Sequence, residues 1–120
     1  MQYLALIYAE DGLSPDYGTP EFDDYMNGYF AANKAYEEAG IMRGGNALQH
    51  TSTSTSVRVR AGKTETMDGP FAETKERLGG YYVLDCESLD QAIEMAALIP
   101  DAKWGTVELR PVMEIELPET

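Results

Sequence analysis

The first apolar run, Gln2 to Ala9 (Gln-Tyr-Leu-Ala-Leu-Ile-Tyr-Ala), is short and partly aromatic or β-branched, and reads as a strand buried on both faces. Glu10 to Gly18 holds Asp11-Gly12 and Ser14-Pro15 and reads as a loop. The apolar period then changes. Thr19 offers an N-cap, Pro20 suits the first helical position, and Glu21 favours the positive helix end. Phe22, Tyr25, Met26, Tyr29, Asn33 and Tyr36 recur at spacings of three and four, which predicts an amphipathic helix ending at Gly40. Gly28 inside that helix costs about 1 kcal/mol against Ala, so a closely packed neighbour is expected there.

Ile41 to Gln49, with its Gly44-Gly45 pair, reads as strand or loop and strand. The Thr/Ser run Thr51 to Ser56 leads into Val57-Arg58-Val59-Arg60, an alternating strand with Val57 and Val59 expected to face inward. Ala61-Gly62-Lys63 turns the chain, Lys63 to Met67 returns as the second arm of a hairpin, and Asp68 to Gly80 is a polar loop. Gly80 to Cys86 is another strand, apolar on both faces over its middle. Ser88-Leu89-Asp90-Gln91 matches a capping box, and Leu89, Ala92, Ile93 and Ala96 form the stripe of a second helix that Pro100 ends. Trp104 falls in the following loop. Val107, Leu109, Met113, Ile115 and Leu117 then alternate with Glu108, Arg110, Glu114 and Glu116, one face buried and the other wet, and Pro111 interrupts this strand or marks an edge.

The element order is βαββαβ, the split βαβ of ferredoxin-like α+β domains. It predicts one domain over residues 1–117, an antiparallel sheet with two helices on one face, and a frayed tail at 118–120. Two helices cover one face only. Strands apolar on both faces therefore predict a second copy on the other: a homodimer of the dimeric α+β barrel type.

A chain of 120 residues is one domain's length, long enough for a core without metal or disulfide staples. The single Cys86 excludes an internal disulfide and a cysteine metal cluster and fits a reducing cytoplasm. The net charge of −12 argues against nucleic acid and anionic membrane surfaces as partners. No apolar run approaches the roughly 20 residues of a membrane helix, and no basic region precedes the first apolar stretch as in a signal peptide. Charge is uneven. Residues 1–40 and 81–120 each carry a net −7, whereas residues 41–80 carry a net +2. This basic island reads either as a site for a small anionic ligand or as Arg58 and Arg60 on the wet face of a strand, offsetting nearby carboxylates.

Asp68-Gly69-Pro70 is turn chemistry. Asp68 either caps its own loop or holds a carboxylate at a cleft rim, where Glu73, Thr74 and Lys75 supply a second carboxylate, a hydroxyl and an ammonium for a polar ligand. His50 is the one side chain expected to titrate near neutral pH. As a general base it needs a carboxylate within hydrogen-bond reach, and Asp68 is the candidate. Eight tyrosines include Tyr3, Tyr8, Tyr81 and Tyr82 on the two central strands. They read as core and dimer packing, or, for Tyr8 and one of Tyr81 or Tyr82 (Tyr82 the candidate), as the lining of an aromatic-accepting pocket. Cys86 reads as a small buried apolar residue. One histidine and scattered carboxylates have no metal-ligand spacing, and no phosphate loop or dinucleotide fingerprint occurs, so neither metal nor cofactor is expected.

Asp68-Gly69-Pro70-Phe71-Ala72-Glu73-Thr74-Lys75-Glu76, followed by Leu78-Gly79-Gly80-Tyr81-Tyr82, closely resembles the signature of DGPF-domain proteins, a branch of the YCII-related family. The start Tyr3 to Tyr8, the Gly44-Gly45 segment with Leu48, the Thr/Ser run into Val59 and the ending Val107 to Val112 extend the resemblance to about residues 2–113. The resemblance implies a ferredoxin-like dimer. It also implies relatives of two kinds: some enzymatic, including a dehydrochlorinase with a proposed His–Asp centre, and some linked to extracytoplasmic-function sigma factors. This sequence has no histidine near its first helix, where the enzymatic relatives place theirs.

Two functional readings follow. One is a cytoplasmic ligand-binding or regulatory dimer of unassigned activity. The other is an acid–base enzyme, lyase- or isomerase-like, acting on a small polar or aromatic molecule through His50 and Asp68.

Overall fold

The run apolar on both faces forms β1 (Gln2–Ala9), which lies between two antiparallel neighbours in the computed structural model, whose described residues are 1–117. The remaining elements are α1 (Pro20–Ala39), β2 (Met42–Ala47), β3 (Thr55–Arg60), β4 (Lys63–Asp68), β5 (Arg77–Asp85), α2 (Leu89–Ala96) and β6 (Thr106–Pro111). Short 3₁₀ turns occupy Thr51–Thr53 and Pro100–Lys103. The main sheet has the order β2-β5-β1-β6 and every pairing in it is antiparallel. The chain is thus an α+β protein with two helices on an antiparallel sheet. The tail expected at 118–120 lies outside the described residues.

Local chemistry sets the helix ends as expected. Thr19 Oγ1 accepts from the Phe22 N–H at 3.2 Å, Pro20 opens α1, and Gly40 closes it at φ 68°, a left-handed turn that glycine enters freely. Ser88 Oγ accepts from the Gln91 N–H at 3.1 Å, and the Gln91 side chain reaches back to the Glu87 N–H at 2.7 Å. Gly28 faces the 3₁₀ turn: a Cβ there would stand 2.8 Å from Pro100 Cγ, which is the close neighbour its position implied.

Alternation along β1 sends Tyr3, Ala5 and Ile7 into the core, where Tyr82 and Leu84 of β5, Ala32 and Tyr36 of α1, and Ala92 of α2 meet them. Tyr36 is fully buried, and its hydroxyl donates to the Met95 carbonyl at 2.7 Å, so the largest core side chain carries no unmet polar group. On the other face Leu4, Leu6, Tyr8 and Val83 stay half-buried, because among the described residues no helix or strand covers them.

The hairpin departs from expectation. β3 pairs only with β4, as a separate two-stranded sheet, and Val57 and Val59 are exposed rather than inward. Among the described residues no helix or strand covers either face of the hairpin, so alternation alone buries neither set of side chains. The molecule measures 50 × 40 × 20 Å with a radius of gyration of 16.9 Å, against about 14 Å for a spherical domain of this length. β5 begins at Arg77, three residues before the expected Gly80, since Arg77 and Leu78 still pair with Ala9 and Tyr8.

Candidate functional site

The C-terminal ends of β1 and β2 and the start of β5 lie at one end of the main sheet, and bring Asp11, His50 and Arg77 together. His50 Nε2 stands 3.0 Å from both oxygens of Asp11. Its Nδ1 accepts from the Ser52 backbone N–H at 3.1 Å and lies 2.9 Å from Ser52 Oγ. A nitrogen that accepts a backbone N–H carries no proton, so the neutral ring holds its proton on Nε2 and donates it to Asp11. Arg77 Nη1 lies 3.3 Å from Asp11 Oδ2 and donates to Thr51 Oγ1 at 3.0 Å. The His50 hydrogen bond, against desolvation and with a smaller contribution from the Arg77 charge, holds the Asp11 carboxyl below its usual range. The cluster is about half exposed, so it is a hydrogen-bonded knot at the surface that closes the 3₁₀ turn.

The residues of the Asp68 loop do not converge on it. Among the described residues Asp68 has no hydrogen bond to His50; it sits exposed opposite Thr55 at the base of the hairpin. The carboxylate facing His50 is Asp11, which the sequence presented only as half of an Asp-Gly turn. Gly69 takes φ 94°, its N–H donates to the Ser54 carbonyl at 2.7 Å, and its own carbonyl accepts from Ser56 Oγ at 2.8 Å. The turn is thereby pinned to β3. Glu73 is exposed, Thr74 Oγ1 donates to the Glu76 carbonyl at 2.5 Å, and Lys75 pairs with Glu10 at 3.3 Å.

A groove of about 510 Å³ opens between α1 and the β2–β5 edge. Tyr25, Tyr29 and Phe30 of α1 face Tyr82 of β5 across it. Gly45 keeps β2 flat beside Tyr82, where a Cβ would stand 2.8 Å from Tyr82 Cδ1. Tyr82 donates to Asn33 Oδ1 at 2.7 Å, so the one polar residue of the α1 stripe is spent on orienting an aromatic wall. Asp101, carried in by the Pro100 turn, also lines the groove, and its Oδ1 is buried with no hydrogen-bond partner. Burial, aided by the Asp101 carboxylate, pushes the Tyr25 and Tyr29 phenols well above their usual range, so both remain neutral hydroxyls rather than bases. Tyr81 and Tyr82 are both among the residues lining this groove; Tyr8 lies on the opposite face of β1 from Ile7 and is not. Sequence reasoning missed Tyr25, Tyr29 and Asp101. Asn33 on an otherwise apolar stripe was the available signal.

Burial raises the Cys86 thiol as well, with the nearby Asp85 charge adding to it. This residue is closed off at the end of β5 and sits in the core cluster. Among the described residues no group of three metal-ligating side chains gathers.

Comparison with known proteins matches residues 1–116 to the model of the YCII-related domain. A similar relative is the uncharacterized protein R00369 of Rhizobium meliloti (strain 1021), 37% identical over 114 residues, which span 93% of this chain and 92% of that protein. A match over nearly the whole length, with a relative of the same size, leaves no part of the fold outside the resemblance: the chain belongs to the YCII-related domain family.

Proposed function

We propose that the protein is a small-molecule-binding module whose ligand occupies the groove between α1 and the β2–β5 edge. The observation that carries this reading is Asp101 Oδ1, buried with no hydrogen-bond partner, in a groove lined by tyrosine and phenylalanine rings together with aliphatic side chains, Asn33 and Asn46. A volume of about 510 Å³ falls within the roughly 300–1,000 Å³ of small-ligand sites, and a few fixed polar groups in an aromatic lining are their usual composition. The ligand class that fits is a small aromatic or apolar molecule bearing an N–H or ammonium group. Its donor meets Asp101 and its body lies on the rings.

Trp104 supplies the readout, since its ring centroid is 5.8 Å from that of Tyr25. Titration with a panel of aromatic amines and matched carboxylic acids should give saturable changes in Trp104 fluorescence for amines alone. Asp101→Asn should abolish the response without lowering the melting temperature. No saturable change with any amine, or an undiminished response in Asp101→Asn, refutes the proposal.

The hydrogen-bonded chain Ser52–His50–Asp11 favours a second reading, an acid–base enzyme. In it the Ser52 hydroxyl proton passes to His50 Nδ1 while Asp11 stabilises the imidazolium. Asp68 would then serve at the loop rather than beside the ring. Both ring nitrogens are already engaged by the protein's own chain, which places the binding reading ahead.

We also propose that two copies pair through the open sheet face at Leu4, Leu6, Tyr8 and Val83. The order β2-β5-β1-β6 is read as the ferredoxin-like arrangement, and the Asp68-to-Phe71 motif as that of the DGPF branch. A monomeric mass by light scattering at micromolar concentration would overturn the dimer.

A further inference from the structure

The last described segment, Val112–Leu117, forms no regular secondary structure, and beyond Val112, whose N–H donates to the Gln2 carbonyl at 2.9 Å, its apolar side chains are exposed. Its composition is nevertheless that of a strand. Met113, Ile115 and Leu117 are 80%, 70% and 82% exposed, and Glu114 and Glu116 alternate with them. The β3 strand has the matching pattern in the opposite charge. Val57 and Val59, 64% and 59% exposed, alternate with Arg58 and Arg60. β3 has one neighbour only, β4, so its outer edge presents unpaired backbone N–H and C=O groups. Arg60 donates only to the Val59 carbonyl beside it, at 3.1 Å, and among the described residues it meets no carboxylate. Glu114 and Glu116 form no ion pair among the described residues either.

From this complementarity we infer that the Val112–Leu117 segment of one copy adds as a third strand to the β3 edge of a second copy, and that the exchange is reciprocal. Strand addition satisfies the open backbone edge. With side-chain alternation of period two, Met113, Ile115 and Leu117 share a face with Val57 and Val59, while Glu114 and Glu116 share the other with Arg58 and Arg60. A groove of about 450 Å³ on that second face is lined by Arg58, Arg60, Glu65, Met67 and Phe71; Arg58 already pairs with Glu65 at 3.2 Å, so Arg60 is the open cation that receives the carboxylate side. A one-residue slip would set apolar side chains against the arginines, so the pattern also selects the register. The same segment cannot serve every acidic peptide equally: both the charge and the apolar alternation must match. A reciprocal pair closes on itself with two identical contacts, so the exchange stops at two copies because each tail and each β3 edge is already used. This deepens the dimer proposed above and names the parts that hold it, but the two readings fail separately.

Two charge-reversed chains test the exchange. One carries Arg58→Glu with Arg60→Glu, the other Glu114→Arg with Glu116→Arg. All four positions are exposed, and circular dichroism is the check that each variant keeps the fold. Each variant alone sets like charges against each other, and its dimer dissociation constant by analytical ultracentrifugation should rise at least tenfold. Mixing the two in equal amounts restores opposite charges at both contacts, and should return the wild-type value as a mixed dimer. Deleting the chain beyond Val112 should weaken the dimer in the same way. Variants that each dimerise as tightly as wild type, or a mixture that restores nothing, overturn strand exchange while leaving the sheet-face dimer standing. A monomeric wild type overturns both.

Discussion

Gly28→Ala separates the packing described here from ordinary helix behaviour, because the two give opposite signs. In the interior of an isolated helix the change stabilises by about 1 kcal/mol, since alanine loses less backbone entropy. In this fold the added methyl would stand 2.8 Å from Pro100 Cγ. Pro100 is buried and its ring cannot swing aside, so the 3₁₀ turn or α1 must move. Overpacking of that kind costs roughly 1–3 kcal/mol, which leaves a net destabilisation of about 1 kcal/mol after the helical gain. For a chain of this size that lowers the melting temperature by about 3–6 °C. Asn27→Ala, one residue away on the exposed face, is the control and should stabilise by a few tenths of a kcal/mol. Urea unfolding followed by circular dichroism measures both. Stabilisation by Gly28→Ala equal to that of the control would show that the Pro100 turn does not pack against α1. The placement of Asp101 in the groove would fall with it.

Other parts of the molecule can be tested as directly. Tyr82→Phe removes a hydroxyl that donates to Asn33 and leaves that oxygen unmet; a loss of about 1 kcal/mol in urea unfolding is expected, and no loss would remove Tyr82–Asn33 from the groove's framework. The Asp11 carboxyl is depressed in the folded chain, so its contribution is present above the ordinary value of 3.8 and is lost as pH falls through the lower, folded value. Acid should therefore loosen the His50 turn, seen as faster proteolysis between Leu48 and Ser54, and Asp11→Asn should show that looseness at neutral pH; equal cleavage of the two proteins at pH 7 would refute the role of this carboxylate. Cys86 is almost fully buried with a raised thiol, so aromatic disulfide reagents should label it at least a hundredfold more slowly in the native protein than in urea. Equal rates would place the thiol at the surface.

Much of the fold follows from short-range signals. Thr19, Pro20 and Gly40 set the limits of α1 because capping is decided within a few residues. Ser88 does the same for α2. The apolar runs at β1 and β5 mark the two central strands of the sheet, each paired with a neighbour along both edges. The candidate site is less legible. Asp11 and His50 are 39 residues apart and meet because antiparallel pairing returns the chain to the same end of the sheet. Asp68 was nearer in sequence, yet the hairpin carries it away.

What the sequence determined by itself is where elements begin and end, which of their faces are apolar, and the charge pattern that marks residues 41–80 and the tail. These are properties of neighbours along the chain, and period and capping reveal them. The tertiary structure alone decided which carboxylate faces His50, that Val57 and Val59 point outward, and that Tyr25, Tyr29, Tyr82 and Asp101 enclose one groove. Those outcomes depend on how separate elements pack, and a hairpin without a covering layer, or a half-buried carboxylate brought in by a distant turn, leaves no periodic trace in the sequence.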